Sequence, residues 1–199
     1  LGLNIANSFY IAPYQRGYKW ASATENDPVF ILMKDLIESW ESGHGEYYLQ
    51  YITTKRNRYQ DTEVLEVIDG QQRLTTLSVM FCVLSHILND EKANITRGRL
   101  LYQVRPKVTA FFNEFIYGNI TKVLNSDWEA FKTEHPEYNE QDIYYLFHAA
   151  SRINEQLLKL SSTDVNPINS FGQFVMKRVK IIVNNVKANI SCEKIFSNL

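Results

Sequence analysis

The most regular pattern of hydrophobic positions lies between residues 71 and 88. Apolar side chains recur there at alternating spacings of three and four residues, which is typical of one face of a helix. The positions on that face are Leu74, Leu77, Phe81, Leu84 and Leu88, and the positions that widen it are Val79, Met80 and Val83. We therefore predict that a helix begins at Gln71 or Gln72 and that it is central and largely buried.

Upstream of that helix, the pattern predicts a short extended segment, a helix and a hairpin. Residues 9–16 read as extended, and Pro13 indicates a sheet edge or a strand end because proline cannot donate to a ladder. A helix is predicted over about 28–41. Strands are predicted over 47–54 and 63–68, with the polar run KRNRYQDT as the hairpin connection.

Downstream of Asn89, the pattern predicts mostly helices and then a strand. The predicted helices cover about 107–118, 126–134, 140–161 and 170–178, with prolines at the joints. Val179–Val186 is rich in β-branched residues, so we predict a strand that returns to the N-terminal sheet. A last helical pattern covers residues 193–199.

Composition and charge narrow the class of protein. The 199 residues are 45% hydrophobic and 22% charged, which is ordinary for a globular protein and excludes a disordered or collagen-like chain. The net charge of -1 argues against a dedicated basic coat for nucleic acid, although a local patch fits within a neutral total. The 2 cysteines form no CxxC pattern, and the sequence has no signal peptide and no long apolar run. We therefore expect a cytoplasmic protein that does not cross a membrane.

Familiar catalytic motifs are absent from the sequence. It contains no GxxxxGK(S/T) loop, GxGxxG fingerprint, HExxH helix, GxSxG elbow or HNH-type nuclease signature. The 4 histidines are dispersed, without the spacing of metal ligands. The basic residues 55–58 favour a solvated hairpin tip over a loop that contacts phosphate.

The segment Asp69-Gly70-Gln71-Gln72-Arg73 carries candidate chemistry at the start of the buried helix. Gly70 permits a tight turn and a close approach by a ligand. The first turn of a helix presents unpaired N–H groups and the positive end of the helix dipole, which together bind anions such as phosphate. The two glutamines add amide donors, and Arg73 adds a planar fork for phosphate oxygens. Asp69 has the chemistry to hold a divalent cation or to orient a water molecule.

The same residues also allow a purely structural interpretation. Asp69 and Gln72 have the spacing of a capping box, in which the first side chain caps the helix and the second reaches back. Arg73 has candidate ion-pair partners in Asp35 and Glu66. From these residues alone, a ligand site and a capped helix both stay open.

A second polar segment, PYQRGYKW, covers residues 13–20. It combines Gln15, Arg16 and Lys19 with three aromatic rings. Aromatic rings stack on nucleobases, and Arg16 is suited to bind phosphate. The alternative is an edge that closes the core through cation–π contacts, and the segment by itself does not decide between the two.

Together, these motifs resemble a known protein family. IAPYQRGYKW followed by VIDGQQRLTTL is similar to the N-terminal domain of the GmrSD-type family, the domain of unknown function 262 with its DGQQR motif. The helix that carries Asp35, the strand YYLQYI and the closing segment CEKIFSNL extend the resemblance over about 9–199. Two positions depart from the family pattern: Gln50, where glycine is usual, and Ala12, where isoleucine usually precedes the proline.

The resemblance implies a fold and a division of the chain. The fold class is α+β, a small mixed sheet of the ParB/sulfiredoxin type with a central buried helix and a large helical region. The expected parts are a nucleotide-binding core over 1–90, a helical insertion over 91–178, and a strand and helix over 179–199 that return to the core. We also expect a truncated chain that lacks a C-terminal nuclease domain.

The resemblance also implies a function. Characterised relatives are modification-dependent, type IV DNA restriction factors and related phage-defence proteins. Their DGQQR domain binds or hydrolyses a nucleoside triphosphate, and a C-terminal nuclease domain or partner subunit cuts DNA. Transferred to this sequence, the expected catalytic residues are Asp69, Gln72 and Arg73, with Asp69 also the expected ligand of Mg²⁺. The expected nucleotide-binding residues are Tyr14, Gln15, Arg16, Gly70 and Gln71.

Two alternative functions stay open beside this regulatory NTPase domain. One is a ParB-like domain that binds or nicks DNA and holds a DNA phosphate at the same site. The other is a non-catalytic interaction module in which the site is vestigial. For the regulatory NTPase domain, we expect DNA to be engaged through the full-length protein.

Overall fold

The fold is given by a computed structural model that describes residues 8–21, 27–43, 45–161 and 165–187. Its strands are β1 (Ser8–Ile11), β2 (Tyr47–Tyr59), β3 (Thr62–Asp69), β4 (Leu100–Tyr102) and β5 (Val179–Val186). Its α-helices are α1 (Pro28–Glu41), α2 (Gln71–Leu88), α3 (Pro106–Phe111), α4 (Ile120–Leu124), α5 (Trp128–Glu134), α6 (Gln141–Leu160) and α7 (Asn166–Arg178). A π-helical turn over Phe112–Ile116 continues α3, and short 3₁₀ turns cover Glu91–Ala93 and Pro136–Tyr138.

The five strands form one mixed sheet in the order β4-β1-β3-β2-β5. Only the β2–β3 pair in this sheet is antiparallel, and β1–β3, β1–β4 and β2–β5 are parallel. Parallel neighbours need long crossover connections, and helices supply those connections here. The predicted α+β class is confirmed, and the more specific likeness to the ParB/sulfiredoxin type stays a prediction.

Two of the predicted helices are confirmed almost residue for residue. The Asp27 side chain caps α1 by accepting from the backbone N–H of Phe30 at 2.8 Å, and Pro28 occupies the first turn. The helix predicted from Gln71 or Gln72 begins at Gln71 and is buried almost all round. It packs against α4, α6, α7 and β4, so it is the central helix of the fold.

The hairpin differs from the prediction. β2 runs on to Tyr59, so the basic residues 55–58 belong to a strand and not to a hairpin tip. The turn is only Gln60-Asp61, with φ of 47° and 63° at the two residues. Positive φ at both positions is the geometry of a type I′ turn, whose twist matches that of the strands.

The position of β1 is a second difference. Pro13 follows the end of β1, as one of the two interpretations expected, but β1 is not an edge strand. It lies between β3 and β4, and β4 itself was not predicted because only three residues, Leu100–Tyr102, form it. The predicted helical insertion over 91–178 therefore also contributes one strand to the sheet.

The strand predicted over Val179–Val186 is confirmed. It pairs parallel with β2 from Tyr47↔Val179 to Lys55↔Val186, so the chain returns to the sheet after its helical region. The helix predicted over 193–199 lies outside the described residues, and the division of the chain into three parts stays a prediction. Within the described ranges, every helix is too short or too polar to cross a bilayer.

Candidate functional site

A cleft of about 310 Å³ opens where β3 ends and α2 begins. The eight residues singled out in the sequence all line it, and we call it the DGQQR cleft. They are Tyr14, Gln15, Arg16, Asp69, Gly70, Gln71, Gln72 and Arg73, and Trp20 and Ile68 complete the lining. The structure thus brings both polar segments to one place, at the N-terminus of a long buried helix.

Gly70 makes the turn between β3 and α2 possible. Its φ of +90° lies in the left-handed region, where a side chain is strained. A Cβ atom at this position would lie 2.5 Å from Cγ2 of Ile52 on β2. Both the backbone conformation and the close packing therefore require glycine here.

The first turn of α2 is not capped by a side chain. Gly70 is the N-cap residue, and no side chain of the described residues accepts from the first backbone N–H groups. The capping-box interpretation of Asp69 and Gln72 is therefore wrong. The N–H groups of the first turn have no acceptor within the helix, so they and the positive end of the dipole lie at the cleft.

Gln71 and Gln72 hold the loop that forms the opposite wall, residues 13–20, which we call the site loop. Gln71 Nε2 donates to the carbonyl of Arg16 at 2.8 Å. Gln72 Nε2 donates to the carbonyl of Gly17 at 2.9 Å, and its Oε1 accepts from the backbone N–H of Lys19 at 2.8 Å. The two amides therefore bind backbone on the far side of the cleft and set its width.

One acceptor atom of these two amides lacks a hydrogen-bond donor among the described residues. Oε1 of Gln71 is buried and accepts no hydrogen bond from the described residues, while Gln71 itself is only 4% exposed. A buried amide oxygen without a donor is costly, so it is normally satisfied by water or by a ligand. This atom belongs to a residue that lines the DGQQR cleft.

Gln15 and Tyr14 tie the start of the site loop to β3. Gln15 Nε2 donates to the carbonyls of Val67 and Ile68, at 3.0 and 3.2 Å. The Tyr14 hydroxyl donates to Glu66 at 2.5 Å, yet its side chain remains 53% exposed. These contacts place one exposed aromatic ring at the edge of the cleft.

The two arginines of the cleft are held differently. Arg73 donates to the Tyr51 carbonyl at 2.9 Å and to Gln50 Oε1 at 2.6 Å, and its guanidinium carbon lies 6.0 Å from the ring centre of Trp20. Its candidate partners Asp35 and Glu66 are not its hydrogen-bond partners. Arg16 is exposed, and its guanidinium makes no hydrogen bond or ion pair within the described chain.

Asp69 is half-buried at the last position of β3. Among the described residues, its carboxylate has neither a hydrogen-bond donor nor an ion-pair partner, and it faces the cleft that it lines. The cleft therefore combines an unpaired carboxylate, an unpaired guanidinium and an uncapped helix terminus. Such a set is suited to bind an anion together with its counter-cation.

Asp142, at the start of α6, is a site-loop contact that sequence reasoning missed. It is 1% exposed and packs so closely on Gly17 that a Cβ there would lie 2.2 Å from both carboxylate oxygens. Arg105 Nε lies 3.3 Å from Oδ2, an ion pair without hydrogen-bond geometry, and neither oxygen accepts a hydrogen bond from the described residues. Burial raises the pKa of Asp142, against the opposing charges of Arg105 and Lys19.

No signal in the sequence pointed to this contact. An aspartate in the first turn of a helix has an ordinary explanation in the helix dipole. Only the fold brings Asp142 against the site loop, which is thus held between the amides of α2 and the carboxylate of α6.

Asp69 is the carboxylate of the DGQQR cleft that has the chemistry to bind a metal ion. No group of three or more histidine, cysteine, aspartate or glutamate side chains clusters in the described ranges, so a metal cage of protein ligands is not formed there. Mg²⁺ commonly uses one or two carboxylates and completes its shell with waters and substrate phosphates. Asp69, which has no partner among the described residues and lies beside an uncapped helix N-terminus, fits that mode of binding.

Comparison with known proteins identifies the family. No curated protein matches the chain. The sequence does match the family described as "GmrSD restriction endonuclease, N-terminal domain" over residues 2–199. That match covers the site loop, the DGQQR turn and the whole helical region. The chain therefore belongs to the family of N-terminal domains of GmrSD restriction endonucleases.

Proposed function

We propose that the DGQQR cleft binds a nucleoside triphosphate and hydrolyses it, as the regulatory activity of a DNA restriction or phage-defence protein. The observation that carries this proposal is the uncapped N-terminus of α2 beside the side chains of Arg16 and Asp69, which have no partner among the described residues. A buried helix terminus of this kind attracts a phosphate group. Family membership supports the restriction context.

The phosphate chain lies against the first turn of α2. Backbone N–H groups of that turn donate to phosphate oxygens, and Arg16 adds a charge-assisted contact from the site loop. Arg73 already donates to β2, so it contributes its positive charge from a fixed position. Fixed charges of this kind stabilise the transition state because they need no reorganisation during the reaction.

Asp69 serves the reacting end of the substrate. Its carboxylate would hold Mg²⁺ together with the phosphates, or would orient the attacking water. When bound, Mg²⁺ would neutralise charge on the phosphate oxygens. Water attacks the terminal phosphorus, the bond from that phosphorus to the bridging oxygen breaks, and the products are the nucleoside diphosphate, inorganic phosphate and a proton.

Gln71 and Gln72 then act as positioning residues. Both amides hold site-loop backbone, so they fix the distance between Arg16 and the helix terminus. The unsatisfied Oε1 of Gln71 remains available to a donor on the ligand or to an ordered water. We expect Gln72→Ala to impair both binding and turnover, because it releases the opposite wall of the cleft.

The test compares turnover with stability in the same variant. Asp69 does not cap α2 and has no partner among the described residues, so Asp69→Ser breaks no structural contact and should change stability by about 0.5 kcal/mol or less, which is within about 2 °C of melting temperature. The same variant should lose nearly all hydrolysis of the preferred nucleoside triphosphate with Mg²⁺. Unchanged turnover would reject the role of Asp69 in the reaction.

A matched pair of arginines tests binding. Arg16→Gln should weaken nucleotide binding roughly tenfold or more, because a hydrogen bond to a charged group contributes about 1.5–3 kcal/mol. Arg58→Gln is the control, because Arg58 is exposed at the far end of the hairpin and does not line the cleft. Tight binding of DNA without nucleotide binding or turnover would favour the ParB-like alternative.

A further inference from the structure

A second cleft, also of about 310 Å³, adjoins the DGQQR cleft. We call it the aromatic cleft, because aromatic side chains from the site loop and from the start of β2 line it. The residues that matter here are Trp20, Ile31, Asp35, Tyr47, Tyr48 and Arg73. Neither the family match nor the DGQQR motif assigns it a ligand.

The aromatic cleft presents unusually exposed apolar surface. Tyr48 is 62% exposed and Ile31 is 49% exposed, although the side chains of both line a concave site. Trp20 and Tyr47 are half-buried beside them. An exposed aromatic side chain in a concave site is suited to stack on a flat ligand ring. Aromatic side chains stack on nucleobases in this way, whichever base is present.

The two clefts share a wall. Trp20 and Arg73 line both, and Arg73 is fixed in place by the Tyr51 carbonyl and Gln50 Oε1. Each cleft alone lies at the small end of the range for ligand pockets, so a ligand with two distinct parts suits the pair.

The polar groups of the aromatic cleft are also suited to a base. Asp35 and Tyr47 lie on its edge, and burial together with the Asp35 charge raises the pKa of the Tyr47 hydroxyl. The hydroxyl therefore stays protonated and donates, while the Asp35 carboxylate accepts from N–H groups. A heterocycle with both donors and acceptors on its rim can form hydrogen bonds with both of these groups.

We propose that the aromatic cleft receives the base of the nucleotide whose phosphates occupy the DGQQR cleft. This inference rests on the proposed function and adds the second half of the ligand site. Tyr48 and Trp20 supply stacking surface, and Asp35 and Tyr47 contact the rim of the base. Arg73 stands between the two halves, close to where the sugar and the first phosphate lie.

Calorimetric titration with two probes tests the base and the phosphates of the ligand separately. The probes are the tightest-binding of the four common nucleoside triphosphates and inorganic tripolyphosphate, each with Mg²⁺. Tyr48→Ala should weaken binding of the nucleotide roughly tenfold or more, as expected for loss of a stacking ring, and leave tripolyphosphate unchanged. Tyr59→Ala is the matched control, because Tyr59 lies at the far end of the same strand and lines neither cleft.

Each outcome decides a different claim. If Tyr48→Ala binds the nucleotide as the wild type does, or weakens both probes equally, the base is not in the aromatic cleft, while the phosphate site stands. If the wild type binds neither probe, the proposed function fails and this inference fails with it. Single-stranded DNA is titrated in parallel, and if Tyr48→Ala weakens only that binding, the aromatic cleft belongs to a nucleic-acid site instead.

Discussion

Single residues hold the site loop on both of its sides. Gln72 binds Gly17 and Lys19 from α2, and Asp142 presses on Gly17 from α6. A glycine in this position permits the approach because it has no Cβ. The conformation of the loop therefore depends on contacts that lie outside the DGQQR motif.

The first prediction concerns Gly17. Gly17→Ala places a Cβ at 2.2 Å from the Asp142 carboxylate, so one of the two segments must move. We expect a loss of about 1–3 kcal/mol in the free energy of unfolding, which is typical of overpacking, together with weaker nucleotide binding. Urea denaturation and calorimetry measure the two effects. Gly45→Ala is the control, because nothing lies within 4 Å of a Cβ there, and an unaffected Gly17→Ala would contradict the contact.

The second prediction concerns the charge of Asp142. Its raised pKa means that the native state keeps a proton that the unfolded chain, with a pKa near 3.8, has already lost. Stability should therefore fall as the pH rises from about 3.8 through the native pKa, and it should stay lower above that value. Asp142→Asn carries no titrating group, so we expect a flatter profile and higher stability at pH 7.

Urea denaturation at several pH values checks this expectation. Glu41→Gln, at the exposed end of α1, is the control for the loss of a carboxylate that is not buried. If Asp142→Asn is instead less stable than the wild type at pH 7, the ion pair with Arg105 outweighs the cost of burying the charge.

Among the elements, the hairpin shows where local patterns mislead. The run Lys55–Tyr59 is polar, and polar runs between hydrophobic segments usually indicate loops. Here it forms strand because its backbone pairs with β3, from Lys55↔Glu66 to Tyr59↔Thr62, while its side chains are mostly exposed. By contrast, α1 and α2 carry long helical periodicities, and for those elements the pattern was sufficient.

The third prediction concerns the two-residue turn. Asp61 has a φ of 63°, which costs less for glycine than for any residue with a side chain. Asp61→Gly should raise the free energy of unfolding by up to about 1 kcal/mol, because relief of the left-handed conformation, about 1–2 kcal/mol, exceeds the extra entropy of the unfolded chain, about 0.4–1 kcal/mol. Thr62→Gly, in the first position of β3, should lower it. A melting temperature that falls for both variants would contradict the turn geometry.

At the scale of the whole molecule, β5 is the edge strand that pairs with β2 after the long helical region. The fourth prediction tests which face of β5 packs inward. Ile181 is 8% exposed, so Ile181→Ala should cost about 2–4 kcal/mol, as truncations in a core do. Its neighbour Ile182 is 55% exposed, and Ile182→Ala should stay within about 0.5 kcal/mol. Equal effects of the two variants on urea denaturation would mean that β5 is not seated in this way.

The sequence by itself determined the family and most of the elements. Helices α1 and α2 follow from periodicity, strand β5 follows from β-branched density, and the meeting of the DGQQR motif with the site loop follows from the family resemblance. Periodicity and β-branched density are local properties of the sequence, and the two motifs consist of residue types that have one dominant chemistry. For that reason, they can be recognised without knowing what packs against them.

Only the tertiary structure decided how the site residues are used. It left Asp69 and Arg16 without a partner in the part of the chain that the structure describes, turned the Gln72 amide onto the site loop, and brought Asp142 against Gly17 from α6. It also decided the insertion of β1 between β3 and β4. The physical reason is the same in each case: a side chain's hydrogen-bond partners, and a strand's neighbours, come from segments that are distant in the sequence, so no local pattern records them.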